Sequence, residues 1–90
     1  MEYYKFIDKE TGDEYFWRVN GASVLRVINV DRDISYVGNR RPGMILITKP
    51  SFEYLKNGYK KVNGRPIFPL EIDEGEFNKG LAKARESLMI

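Results

Sequence analysis

The chain has 90 residues, 42% hydrophobic and 31% charged, with 15 basic and 13 acidic side chains giving a formal charge of +2. That is an ordinary globular composition, well away from the low-hydrophobicity, high-charge regime of disordered segments, and it has room for one core in one α+β domain over residues 1–90. Cysteine and histidine are both absent, so a Ser-His-acid triad, a Cys-His pair and a zinc site of nitrogen and sulfur ligands are all excluded within the chain.

From the N-terminus, residues Tyr3 to Ile7 suit a pleated surface, and Tyr15 to Val19 is the natural partner strand. The polar segment Asp8 to Asp13, with Gly12, supplies the turn between them. Asn20-Gly21 is the strongest two-residue reversal signal, because both residue types tolerate positive φ, and the β-branched run Ser23 to Val30 follows it. These segments predict a three-stranded antiparallel meander. A helix capped by Ser23 is the alternative for residues 23–30, since Val24, Val27 and Ile28 share a helical face; β-branching favours the strand.

Residues Ile34 to Val37 read as a short strand, Gly38 to Gly43 as a loop, and Met44 to Thr48 as a central strand buried on both faces, being the most apolar short run. Ser51 can cap a short helix through Asn57, with Phe52 and Leu55 on one face. Asn63-Gly64 marks a second turn. Ile67 to Ile72 is apolar enough for a strand, which Pro69 confines to a sheet edge. The last element is a helix opened by Asp73 and Glu76 at capping-box spacing, with Phe77, Leu81, Ala84 and Leu88 in one apolar stripe. Gly75 and Gly80 weaken it, so packing on the sheet must hold it. The expected architecture is an antiparallel sheet of about five strands packed by a C-terminal helix, plus one short helix near residues 51–57.

No P-loop or dinucleotide fingerprint occurs: Gly38 and Gly43 have the wrong spacing for the dinucleotide motif, and no Gly-Lys-Ser/Thr follows Gly43. The pair Asp31 and Asp33 and the acidic cluster Glu71, Asp73, Glu74 and Glu76 are the remaining carboxylate candidates. Arg32 opposes cation binding at the first, and the second is accounted for by acids favouring a helix N-terminus. No cofactor is expected. The function expected is therefore binding, not catalysis.

Two classes of partner fit. A protein partner is favoured, because one Trp, six Tyr and five Phe crowd toward the first third of the chain and are the residue types that anchor interfaces. Tyr15, Trp17 and Tyr36 are the candidate contacts, although burial is the favoured reading of Trp17 and of the aromatics individually. Tyr15 and Trp17 fall on one sheet face and Phe16 on the other. The alternative partner is nucleic acid, gripped by Arg40 and Arg41 on the glycine-flanked loop with Lys49, Lys60, Lys61 and Arg65. From Arg32 to Arg65 there are eight basic and two acidic residues. A third reading is a self-associating subunit pairing through Ile67 to Ile72 and the tail Leu88-Met89-Ile90, as a homodimer instead of a monomer.

The lack of disulfides points to a reducing cytoplasm, and the start Met1-Glu2-Tyr3-Tyr4-Lys5-Phe6 is unlike a signal peptide. No stretch approaches the apolar length of a membrane span. The texture is that of small accessory or inhibitor proteins of phages and mobile elements, which occupy a partner's surface; no motif carries that likeness.

Overall fold

The computed structural model describes residues 1–9, 11–30, 42–57, 61–62 and 65–88. The expected strand Ile34 to Val37, the Asp31/Asp33 pair and the Asn63-Gly64 turn lie outside them. Strands β1 (Glu2–Ile7), β2 (Glu14–Asn20) and β3 (Ser23–Asn29) form the antiparallel meander, so residues 23–29 are strand and not helix. Strand β4 (Gly43–Thr48) runs into α1 (Lys49–Lys56), followed by the two-residue strands β5 (Lys61–Val62) and β6 (Arg65–Pro66), by β7 (Leu70–Ile72) and by α2 (Glu74–Leu88). The main sheet has the order β4-β3-β2-β1-β7, all pairs antiparallel, and β5 pairs with β6 as a separate ribbon.

Both reversals of the meander are built by their residues. In the first, Asp8 N–H donates to the Asp13 carbonyl at 2.9 Å and Gly12 N–H to the Asp8 carbonyl at 2.7 Å, with Gly12 at φ 75°. The Asp8 carboxylate and the Thr11 hydroxyl accept from the Thr11 and Asp13 amides. In the second, Asn20 still pairs with Ser23, so the two-residue loop is Gly21-Ala22, one position later than the Asn20-Gly21 reversal expected. Gly21 takes the positive φ of 63°, and a side chain there would be strained.

The sheet is covered on both faces, and the alternation of β2 decides which residues go where. One face carries Tyr4, Trp17, Val19 and Val24 under Phe52 and Leu55 of α1, with Ile67 tucked in beside them. The opposite face carries Phe16 and Val27 under Phe77, Leu81 and Ala84 of α2. A tight fit seats α2: a methyl group on Gly80 would stand 2.6 Å from the Phe16 ring, and the Asn29 amide donates to the Gly80 carbonyl at 2.9 Å. Glycine there trades helix propensity for close approach of helix to sheet. Asp73 begins α2 as expected, its carboxylate accepting from the Glu76 amide at 2.8 Å.

Three expectations need correction. The helix expected from Ser51 begins at Lys49, capped by Thr48, whose hydroxyl accepts from the Ser51 amide, and Pro50 sits in its first turn where no intrahelical donor is missed. Only Leu70–Ile72 of the expected strand 67–72 pairs, with β1 at a sheet edge; Pro69 lies outside it and Ile67 serves the core. The third and largest correction is β4. Among the described residues Met44 to Thr48 is not a central strand but the opposite edge of the sheet, with Met44, Ile45 and Leu46 exposed. A continuous apolar run supplies the means to be buried on both faces, but burial also requires a neighbour on both sides and covers that reach that far.

Candidate functional site

β4 joins the sheet through β3 alone, and among the described residues no strand pairs with its outer edge. Its register sets Met44 against Val27, Ile45 against Arg26, Leu46 against Leu25 and Ile47 against Val24. Alternation puts Ile45 and Ile47 on the α1 face, Met44 and Leu46 on the α2 face. Ile47 is drawn into the core beneath α1. Beyond it the covers stop: Ile45 is 48% and Leu46 71% exposed. The strand holds no charge, no proline and no bulge, which are the usual guards of an open edge. The other edge is guarded: β7 is three residues long, follows Pro69 and carries Glu71.

Arg26 flanks this edge one strand inward. It is half-buried on the same face as Ile45, and its Nε is shut off from solvent with no hydrogen-bond partner. Lys49 is exposed at the other end of β4, where it opens α1; that first turn has no acidic residue. The sequence has no carboxylate between Ile34 and Phe52. The surroundings of the edge are apolar and electropositive.

The residues expected to touch a partner are differently placed. Trp17 is withdrawn from that role: it is 0% exposed, packed between Tyr15, whose ring lies parallel at 6.1 Å, and Phe52 at 5.7 Å. A large apolar ring at the centre of the middle strand gains most from the cover that α1 provides. Tyr15 is half-buried at the margin of the same core, beside Phe6. Tyr36, Arg40, Arg41 and Lys60 lie outside the described residues. Lys61 and Arg65 lie on the β5–β6 ribbon, and Lys49 is exposed at the start of α1, so the expected basic set is not assembled into one surface by the described residues. Sequence reasoning missed Ile45 and Leu46, because an apolar run carries no mark of where its strand falls in the sheet; the missing charge and proline were the available signal.

Three other features lie away from this edge. A cleft of about 570 Å³ beside α2 is lined by Lys5, Lys83, Glu14 and Glu76, but these pair as Lys5–Glu76 at 3.2 Å and Lys83–Glu14 at 3.1 Å. Glu76 and Asp73 of the acidic cluster are thus in structural use, and among the described residues no group of three potential ligands could hold a metal. A groove of about 620 Å³ runs between the end of β1 and β7, with Phe68 and Leu70 exposed along it and Lys9, Glu71 and Glu76 at its rim. On the α1 face, Lys56 donates to the Tyr4 hydroxyl at 3.0 Å and the hydroxyl donates to Glu2 at 3.0 Å. The hydrogen bond to Tyr4, then attraction to Tyr4, Glu2 and Glu71 against some desolvation, holds the Lys56 ammonium above its ordinary pKa.

Among the described residues no helix is long and apolar enough to cross a membrane. Comparison with protein-family models, with curated proteins and with solved structures found no match.

Proposed function

We propose that this chain is a non-enzymatic protein-binding module that takes up an extended segment of its partner along the outer edge of β4, occupying the partner's surface as a small inhibitor or accessory protein does. One observation carries the reading: a six-residue strand with three consecutive exposed apolar side chains stands at a sheet edge with which no other strand pairs among the described residues. An added strand satisfies the main-chain donors and acceptors of that edge, while side chains at alternate positions discriminate between partners. The buried aromatics Tyr4, Phe16, Trp17 and Phe52 then act as scaffold for the strands behind the edge, instead of as contacts.

The nucleic-acid reading has less behind it, since Lys49 is the single member of its basic set whose exposure the described residues establish. Self-association through residues 67–72 has the short, charge-bearing β7 against it.

The test places a photoreactive phenylalanine analogue at Met44, and at Asn78 on the exposed side of α2 as a control, in nuclease-treated lysate of the native host. One protein cross-linked from position 44 and not from 78, and lost when Leu46→Asp is added with the melting curve unchanged, supports the reading. A cross-link that survives Leu46→Asp, or one that forms only when the nuclease is left out, overturns it.

A further inference from the structure

The β4 edge also states what its occupant should look like. The two sides of the edge differ in chemistry: Met44 and Leu46 make the α2-face side apolar as far as Thr48 at its end, whereas the α1-face side couples Ile45 to Arg26 directly behind it in register. The Arg26 Nε has a cost that nothing described offsets. The residue is half-buried, and its Nε is closed to water with no hydrogen-bond partner among the described residues. A polar nitrogen in that condition forfeits its hydration without replacement. Lys49 and the start of α1, which has no acid in its first turn, add positive potential at the far end of the same strand.

Resting on the proposed docking at β4, we propose that the segment bound there is an acidic β-strand: apolar residues on its α2-face side, over Met44 and Leu46, and aspartate or glutamate on its α1-face side, reaching across Ile45 to Arg26. All pairs in the main sheet are antiparallel, and an added strand continues that pattern. Two strand spacings, about 10 Å, then separate the Cα of Arg26 from that of the residue opposite Ile45, a gap that an extended arginine and a glutamate close between them. A carboxylate there pairs with the Arg26 guanidinium in a charge-assisted bond. The same electropositive surroundings argue against a second copy of this chain as occupant, because pairing β4 with itself would bring Lys49 and Arg26 of both copies to one seam.

The probe is a fluorescent octapeptide of alternating glutamate and valine, (Glu-Val)₄, compared with (Gln-Val)₄ and (Lys-Val)₄ by anisotropy at low salt. The expected order is glutamate over glutamine by about tenfold or more, with no binding of the lysine peptide. Arg26→Gln should shrink the glutamate preference to within about twofold while the circular dichroism spectrum is unchanged, and Arg26→Lys should restore part of it. N-methylation of alternate peptide nitrogens should abolish binding, because it removes the donors of the ladder. Equal binding of the glutamate and glutamine peptides, both lost on N-methylation, overturns the acidic preference and leaves the docking edge standing. Undiminished binding of the N-methylated peptide overturns both. No binding of (Glu-Val)₄ up to millimolar concentration, while the cross-link from Met44 persists, overturns the acidic preference alone. Displacement of the bound peptide by equimolar oligothymidylate shows a site for a phosphate backbone and also overturns it.

Discussion

β3 and β4 lie side by side with similar texts, Ser-Val-Leu-Arg-Val-Ile-Asn against Gly-Met-Ile-Leu-Ile-Thr, and β4 is the more apolar of the two. Their burial runs the other way. Val24 and Val27 of β3 are wholly enclosed, one beneath α1 and the other beneath α2, while Ile45 and Leu46 of β4 face solvent. The difference lies in the covers. α2 seats over β3 and β2 because Gly80 lets it descend onto Phe16, and α1 folds back over Tyr4 and Trp17 because it starts at the very end of β4, where Lys49 N–H is held by the Ala22 carbonyl at 3.0 Å. Neither helix buries Ile45 or Leu46 in the middle of β4. An apolar strand outside its covers is a surface with a purpose or an aggregation hazard, and the contrast between these neighbours is the physical basis of the proposed function.

The contrast is broken most severely from the inside. Trp17→Ala empties the centre of the covered region and should cost about 3–5 kcal/mol, a large part of the ~5–13 kcal/mol expected of a chain this size; urea denaturation measures it. Gly80→Ala pushes a methyl group into the Phe16 ring and should cost about 1–3 kcal/mol by lifting α2. Gly75→Ala, whose added carbon would meet nothing closer than 3.5 Å, should be neutral or stabilising, so a matched pair of melts separates close packing from helix propensity. Asp73→Ala removes the cap of α2 and should cost about 1 kcal/mol, read in the same way.

On the other side of the comparison, Leu46→Asp should change stability by no more than about 0.5 kcal/mol while abolishing the cross-link from Met44. In hydrogen exchange, β4 amides without a partner strand should exchange faster than those of β3, and a bound partner should close the gap. A small, pH-dependent effect belongs to Lys56 at the end of α1. Its pKa in the folded protein lies above the ordinary 10.5, so its contribution is complete below about pH 10.5 and is lost as pH rises through the raised value. Lys56→Met should lower stability near neutrality by less than about 1 kcal/mol for so exposed a group, and the difference from wild type should fade in strongly alkaline urea titrations.

How much of this was legible beforehand varies by residue. The meander follows from local signals: β-branched and aromatic runs, a Gly12 turn and a glycine-centred reversal, each acting within a few residues. The start of α2 at Asp73 and the stripe Phe77, Leu81, Ala84 follow likewise, because capping and helical periodicity are local. The opposed placement of Phe16 and Trp17 was given by strand alternation alone. The candidate contacts were a different matter. Trp17 reads equally as anchor or core until α1 is known to fold over it, and Met44 to Thr48 reads as a buried strand until the sheet order is known.

The amino-acid sequence by itself determined the absence of imidazole and thiol, the α+β class, the two helices and the partition of β1 and β2 side chains between two faces, since these depend on side-chain chemistry and on periods of two or 3.6 residues. Tertiary structure alone decided that both faces are covered, that β4 is an edge among the described residues and that the Nε of Arg26 behind it has no hydrogen-bond partner there. Strand order and the reach of a helix are set by contacts between segments far apart in the chain, and no local pattern encodes which side of a strand is left without a neighbour.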